Sequence, residues 1–220
     1  MPQINKSTLD FLSALSRNNY KEWMDLHRSE YVAAKANFEL FVQELITEIS
    51  EFDPILKGLE AKNVIFRINR DIRFSKDKSP YKTNMGAFIV RGGKQNGSRF
   101  AGYYFHIEPG QCMLAGGAYV PPAEWLNAIR ENINDYPEKF LKIINDPSFR
   151  KKFGQIEGEK LKKAPKGFDP DSSHVELLKY KSYLAVKQTT DKQVLSQDYF
   201  SFVTDTFKAM KPLNDFLNEY

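Results

Sequence analysis

The stretch Arg99-Phe-Ala-Gly-Tyr103-Tyr104-Phe105-His106-Ile107-Glu108-Pro109-Gly110-Gln-Cys112-Met-Leu-Ala-Gly-Gly-Ala-Tyr119 decides the fold. Successive side chains of a strand point to opposite faces. Tyr103, Phe105 and Ile107 therefore share one face, and Tyr104, His106 and Glu108 the other. One face must pack inward, so at least one of the two tyrosines belongs to the core. Pro109-Gly110 has turn chemistry and leads into a second run, Cys112 to Tyr119. Two runs joined by a short turn form an antiparallel pair.

Working outward, Gly86 to Arg91 and Val64 to Ile68 are further short runs of β-branched and aromatic residues. Gly92-Gly-Lys-Gln-Asn-Gly97 reads as a hairpin-type connection between Arg91 and Arg99. Ser182 to Thr189 reads as a late strand, and Gln155 to Leu161 as another candidate in a Pro/Gly/Lys-rich stretch from Pro147 to Asp171. The sum is an antiparallel sheet of about five strands.

Helices flank that sheet. Ser7-Thr-Leu-Asp10 reads as an N-terminal cap, with Leu9, Leu12 and Leu15 at helical spacing and Asn18-Asn19 as the break. Tyr20 to Phe52 is one long or two consecutive helices, with Phe38, Phe41, Val42, Leu45, Ile46 and Ile49 as its apolar stripe. Asp53-Pro54 ends it. Trp125, Leu126, Ile129 and Ile133 define a helix after Pro122, which Pro137 to Ile144 continues. Gln197 to Tyr220 carries Phe200, Val203, Phe207 and Met210 on one side. Helix, sheet, helix, strand, helix without repeat or linker predicts one α+β domain over residues 1–220.

The chain can build a large core, since 41% of its 220 residues are hydrophobic and 17 are Phe. Its net charge of +4 is too mild to imply nucleic acid, yet its distribution is uneven. Ala61 to Lys82 holds seven Lys/Arg against two Asp/Glu, while the rest holds 25 against 26. The whole basic excess is local, which favours a discrete anion site over a diffuse polyanion-binding face. Nucleic acid is disfavoured as a partner on this ground. No apolar run of about 18 residues is present to cross a membrane. Met1 to Lys6 lacks signal-peptide character, and Cys112 is the only cysteine. These features lead to the expectation of a soluble, cytoplasmic protein without internal disulfides.

Several chemistries find no signature. His27, His106 and His174 lie far apart with no His or Cys at ligand spacing, so no metal site is expected. The Gly92–Gly97 loop lacks the Gly-Lys-Ser/Thr ending of a phosphate loop. There is no Gly-x-Ser-x-Gly nucleophile elbow, and Cys112 reads as a small strand residue. No motif names a cofactor, a catalytic residue or an oligomeric state.

What remains is Arg67 to Lys82, with three arginines, three lysines, two aspartates and a tyrosine in sixteen residues. Guanidinium groups bind carboxylates and phosphates through paired hydrogen bonds. Arg67, Arg70, Arg73 and Lys78 are therefore candidate contacts for an anionic small molecule. Asp71 would orient an arginine, Tyr81 would flank the pocket, and Asp77 belongs to the same cluster. Tyr104 and His106 border it from the central strand, His106 as a candidate acid or base. The opposing reading has Asp71 and Asp77 pair with Arg and Lys simply to pin a loop to the sheet. Three functions stay open: an anionic-ligand binding module, an enzyme acting on a phosphorylated or carboxylated substrate, and a nucleic-acid or protein-partner module.

The pattern Arg67-x-x-Arg70-Asp71-x-Arg73-Phe74-x-x-Asp77-Lys78-x-x-Tyr81 resembles the signature of the bacterial and fungal family called domain of unknown function 2461. Phe11-Leu12-x-x-Leu15-x-x-Asn18-Asn19-x-Lys21-Glu22-Trp23 is similar to its opening helices, with Met24 where an aromatic residue is usual. Gly102-Tyr-Tyr104-x-His106-Ile-x-Pro109, Gly116-Gly117-x-Tyr119-x-Pro121 and Lys166-Gly-Phe168-Asp169 are similar to later family blocks. The resemblance implies a chain of this length and a functional role for Arg67 to Tyr81. It implies no activity, cofactor or ligand.

Overall fold

Tyr103, Phe105 and Ile107 do point inward, and the helices they meet set the architecture. The structure, a computed structural model, describes residues 2–73 and 75–219. Met1, Phe74 of the basic motif and Tyr220 at the end of the expected last helix lie outside the described residues.

Among the described residues the chain is α+β, with ten α-helices and one antiparallel sheet. The first four helices are α1 (Lys6–Arg17), α2 (Lys21–Leu26), α3 (Arg28–Phe52) and α4 (Ala61–Val64). A meander follows: β1 (Met85–Ile89), β2 (Gly102–Ile107) and β3 (Cys112–Ala118). Then come α5 (Ala123–Asp135), α6 (Pro137–Ile144), α7 (Pro147–Phe153), α8 (Val175–Leu178), β4 (Tyr183–Thr189), α9 (Asp191–Val194) and α10 (Tyr199–Leu217). The strand order is β1-β2-β3-β4, all neighbours antiparallel.

The long α3 and α10 cover the inward face of the sheet. Every residue of the stripe Phe38, Phe41, Val42, Leu45, Ile46 and Ile49 is buried. Phe38 and Phe41 stack on Phe105 at 5.5 and 5.1 Å between ring centroids. Phe207 of α10 meets Tyr103 at 5.3 Å. The helix approaches β3 closely enough that a Cβ on Gly116 would fall 2.8 Å from the Met210 sulfur. A glycine there lets the Met210 side chain of the helix pack directly on the strand backbone.

Four expectations are corrected. The sheet has four strands, not about five. Val64 to Ile68 is not a strand, because Val64 is taken into α4 and only single bridges, Ile65 to Ala87 and Asn69 to Tyr81, follow. Four steps separate those bridges on one side and six on the other, so two residues bulge from the 81–87 segment and break the ladder. Gln155 to Leu161 likewise makes single bridges, Glu157 to Leu184 and Lys160 to Tyr180. A broken edge thus flanks each side of the four strands. Finally, Ser7 is not the cap of α1, which starts one residue earlier behind Asn5. The Tyr20 to Phe52 stretch resolves into two helices that meet at His27.

Candidate functional site

The basic segment divides into an edge and a loop. Residues 65–70 run antiparallel to 80–87: Phe66 N donates to Gly86 O, Lys82 N to Ile68 O, and Arg70 N to Pro80 O, at 2.8–2.9 Å. Residues 71–73 and 75–79 belong to the loop between these edges.

The loop is stitched by its own charges. Arg70 reaches across to Asp77 and donates to Ser79 Oγ at 2.7 Å. Asp77 Oδ1 also accepts from Ser79 N at 2.9 Å and Ser79 Oγ at 2.7 Å. These bonds from Ser79, and then Arg70, hold the Asp77 carboxyl down at about 2. Arg73 forks onto Asp71 with Nε–Oδ1 at 2.9 Å and Nη2–Oδ2 at 2.7 Å. Lys78 Nζ donates to Ile72 O at 2.9 Å. Tyr81 is buried, and its backbone is clamped by the Asn19 side chain from the junction of α1 and α2. Of the nine residues singled out in the sequence, five (Arg70, Asp71, Arg73, Asp77 and Lys78) are thus turned on one another or on loop backbone.

Arg67, Tyr104 and His106 stand apart from that stitching. Arg67 is exposed and makes no ion pair within 4 Å among the described residues. It lies near Lys82, whose ammonium is held below its ordinary pKa, first by burial and then by the Arg67 charge. Lys82 Nζ sits 5.3 Å over the Phe66 ring. That ring meets Tyr104 in an edge-to-face arrangement, with 6.3 Å between centroids. Tyr104 in turn lies over Gly86, where an added Cβ would fall 2.8 Å from the Tyr104 oxygen.

Along β2, alternation lines up a polar chain on the sheet's second face. Tyr104 Oη lies 2.9 Å from His106 Nδ1, and His106 Nε2 lies 3.2 Å from Glu108 Oε2. Thr83, in the bulged segment, donates to Glu108 Oε1 at 2.5 Å. An ionised carboxylate only accepts, so Nε2 carries the proton of a neutral ring and Nδ1 accepts from Tyr104. Burial keeps His106 neutral by pushing its pKa down, against the pull of Glu108. Burial and the Glu108 charge push the Tyr104 hydroxyl up to about 12. The result is a carboxylate, an imidazole and a hydroxyl in series, with two cations nearby.

Phe66, Lys82, Thr83 and Glu108 join this cluster without having been singled out as site residues. Glu108 had a legible signal, since it sits two residues beyond His106 on the same strand face. Lys82 was visible only as one more charge. The approach of Phe66 to Tyr104 depends on strand register. The other histidines lie elsewhere: His27 stacks on Trp23 at 4.0 Å, and His174 precedes α8.

A meander sheet backed by two long helices, with a stitched basic loop on its edge, defines an α+β protein, the class that the order of helices and strands in the sequence predicts. The chain belongs to the DUF2461 family of conserved hypothetical proteins, whose family model matches residues 7–216. No curated protein and no solved structure shows significant similarity to the chain. Among the described residues no helix is long and apolar enough to cross a membrane.

Proposed function

We propose that the protein binds an anionic small molecule carrying a phosphate or carboxylate group, at the edge of the sheet where Arg67 meets Lys82. The observation that carries this reading is that Lys82 lies over the Phe66 ring beside Tyr104 and within the field of Arg67, which pairs with no carboxylate within 4 Å among the described residues and acts on Asp71 only at longer range. The exposed Arg67 guanidinium disfavours the charge of the partly buried Lys82, and an oxyanion bound between them would favour both. Phe66 and Tyr104 supply aromatic walls beside the cations. In this reading Arg70, Asp71, Arg73, Asp77 and Lys78 shape the loop, and Tyr81 anchors it. Tyr104 and His106 complete the polar lining.

A titration with inorganic phosphate and simple phosphate monoesters, followed by backbone NMR shifts, tests the proposal. Shifts should concentrate at residues 66–67, 82–83 and 104–108 and vanish in an Arg67→Gln, Lys82→Gln double variant. Shifts that scatter over the surface, or survive the double variant, would overturn it. A second reading, an enzyme acting on a phosphorylated or carboxylated substrate, draws on the Glu108–His106–Tyr104 chain as a proton carrier near the cations. A nucleic-acid module would need basic residues spread along a face and a steep loss of affinity with salt. The pairing of Arg70 and Arg73 with carboxylates weighs against it.

A further inference from the structure

The chain on β2 has a property that a pair of cations alone lacks: its outermost hydroxyl has one proton and two directions in which to give it. With His106 neutral, the Tyr104 O–H is spent on Nδ1, and only oxygen lone pairs remain for a ligand. Lone pairs repel an oxyanion. If His106 takes a second proton, Nδ1–H becomes a donor to the Tyr104 oxygen. The Tyr104 hydroxyl hydrogen is then released to swing outward. The imidazolium so formed is held on its other side by the Glu108 carboxylate, itself fixed by Thr83 at 2.5 Å.

We propose that an oxyanion held by Arg67 and Lys82 takes a further hydrogen bond from the Tyr104 hydroxyl, and that its arrival places a proton on Nδ1 of His106. The inference rests on the anion-site reading above and makes Tyr104 a ligand contact whose sense His106 reverses. The proton balance is simple. One proton comes from solvent, or from the ligand's own acidic oxygen, and stays on His106 while the ligand is bound. No covalent bond is made or broken.

The surroundings of His106 suit this exchange. It is 7% exposed, shielded from bulk water yet joined to it through the half-buried Tyr104. Its charged neighbours are Glu108, one residue past the end of its strand, and Lys82 over the Phe66 ring that meets Tyr104, with Arg67 near Lys82. Across the sheet its row holds the uncharged Gly86, Met113 and Gln188. Among the described residues Glu108 is thus the anion placed to balance an imidazolium there, and an arriving oxyanion would be a second. Reciprocity then requires that protonation tighten anion binding by the factor by which the anion favours protonation.

The test uses the full chain and sulfate, an oxyanion that itself takes up no proton in the range studied. Histidine side-chain NMR at constant ionic strength would follow His106, identified by its loss in His106→Gln. The expected result is a rise of about one unit in the His106 pKa at saturating sulfate, matched by about tenfold tighter binding at acidic than at alkaline pH. Tyr104→Phe keeps the ring over Gly86 but should lose that pH dependence and retain only the weak binding of the alkaline range. His106→Gln should bind sulfate equally at both ends. If sulfate binding is lost with Arg67→Gln and Lys82→Gln, yet is independent of pH, the inference is overturned and the anion site stands. A full pH dependence in Tyr104→Phe would show a Coulombic effect of the imidazolium and likewise overturn the role of the hydroxyl. No sulfate binding by the unaltered chain overturns both readings.

Discussion

The Asn19 side chain grips both backbone polar groups of Tyr81, accepting from its N–H at 3.0 Å and donating to its carbonyl at 2.9 Å. The primary amide behaves as one rung of a sheet, reaching 62 residues along the chain to tie the edge to the first helices. Asn218 does the same for Ala101 beside α10, accepting at 2.8 Å and donating at 3.2 Å. In the sequence Asn19 reads as part of the break after α1, and the structure adds this second role.

Asn19→Ala removes both bonds and leaves two part-buried backbone groups to find water. The expected loss is about 1–3 kcal/mol. For a chain of this size that lowers Tm by roughly 2–4 °C per kcal/mol. Urea unfolding and a thermal scan would check it, and an unchanged midpoint would show that the clamp is incidental.

Gly86→Ala should act on the site more than on the fold. The new Cβ would fall 2.8 Å from the Tyr104 oxygen, which lies at the far end of a side chain and is able to swing. The expected outcome is a stability loss below that of a typical overpacked core, under about 1 kcal/mol. The tyrosine is displaced from Nδ1, so the His106 NMR signals should shift even without ligand. Unperturbed His106 signals would contradict the placement of Tyr104 over this glycine.

Cys112 should be inert in the native chain. It is fully buried, and burial pushes its thiol up to about 12, so almost no thiolate is present at neutral pH. Labelling with an aromatic disulfide reagent is expected to be at the background level in buffer and to approach one thiol per chain in denaturant. Rapid labelling of the folded protein would mean that this end of β3 opens.

Stability should fall on mild acidification, and His106 should account for part of the fall. Its folded pKa lies below the ordinary 6.5, so the unfolded chain takes the proton first. Stability is therefore full above about pH 6.5 and is lost as the pH drops toward the lowered folded value. His106→Gln should show a smaller drop in urea midpoint between neutral and mildly acidic pH. An equal drop in both proteins would remove His106 as its source.

Much of the fold was legible because it follows from short-range rules. The period of two along β2 separates buried Tyr103, Phe105 and Ile107 from half-buried Tyr104. The helical period of α3 marks its stripe correctly, and the β3 and β4 runs fall within a residue or two of their expected positions. Val64 to Ile68 was misread because strand pairing is a property of two segments. Its partner carries a two-residue bulge that no local pattern announces. The same limit applied to the charges. Arg70 and Asp77 are seven residues apart, and only the reversal of the loop brings them together.

The sequence by itself determined that the basic excess is confined to one segment and that Tyr104, His106 and Glu108 share a strand face. Both follow from composition and from the pleat, which need no knowledge of the rest of the chain. Tertiary structure alone decided which charges are spent. It turned Arg70, Arg73 and Lys78 onto loop acceptors and left Arg67 beside Lys82, near the β2 chain. The physical reason is that an ion pair or hydrogen bond needs two groups within a few ångströms. For residues far apart in sequence, register, bulges and chain reversal set that distance.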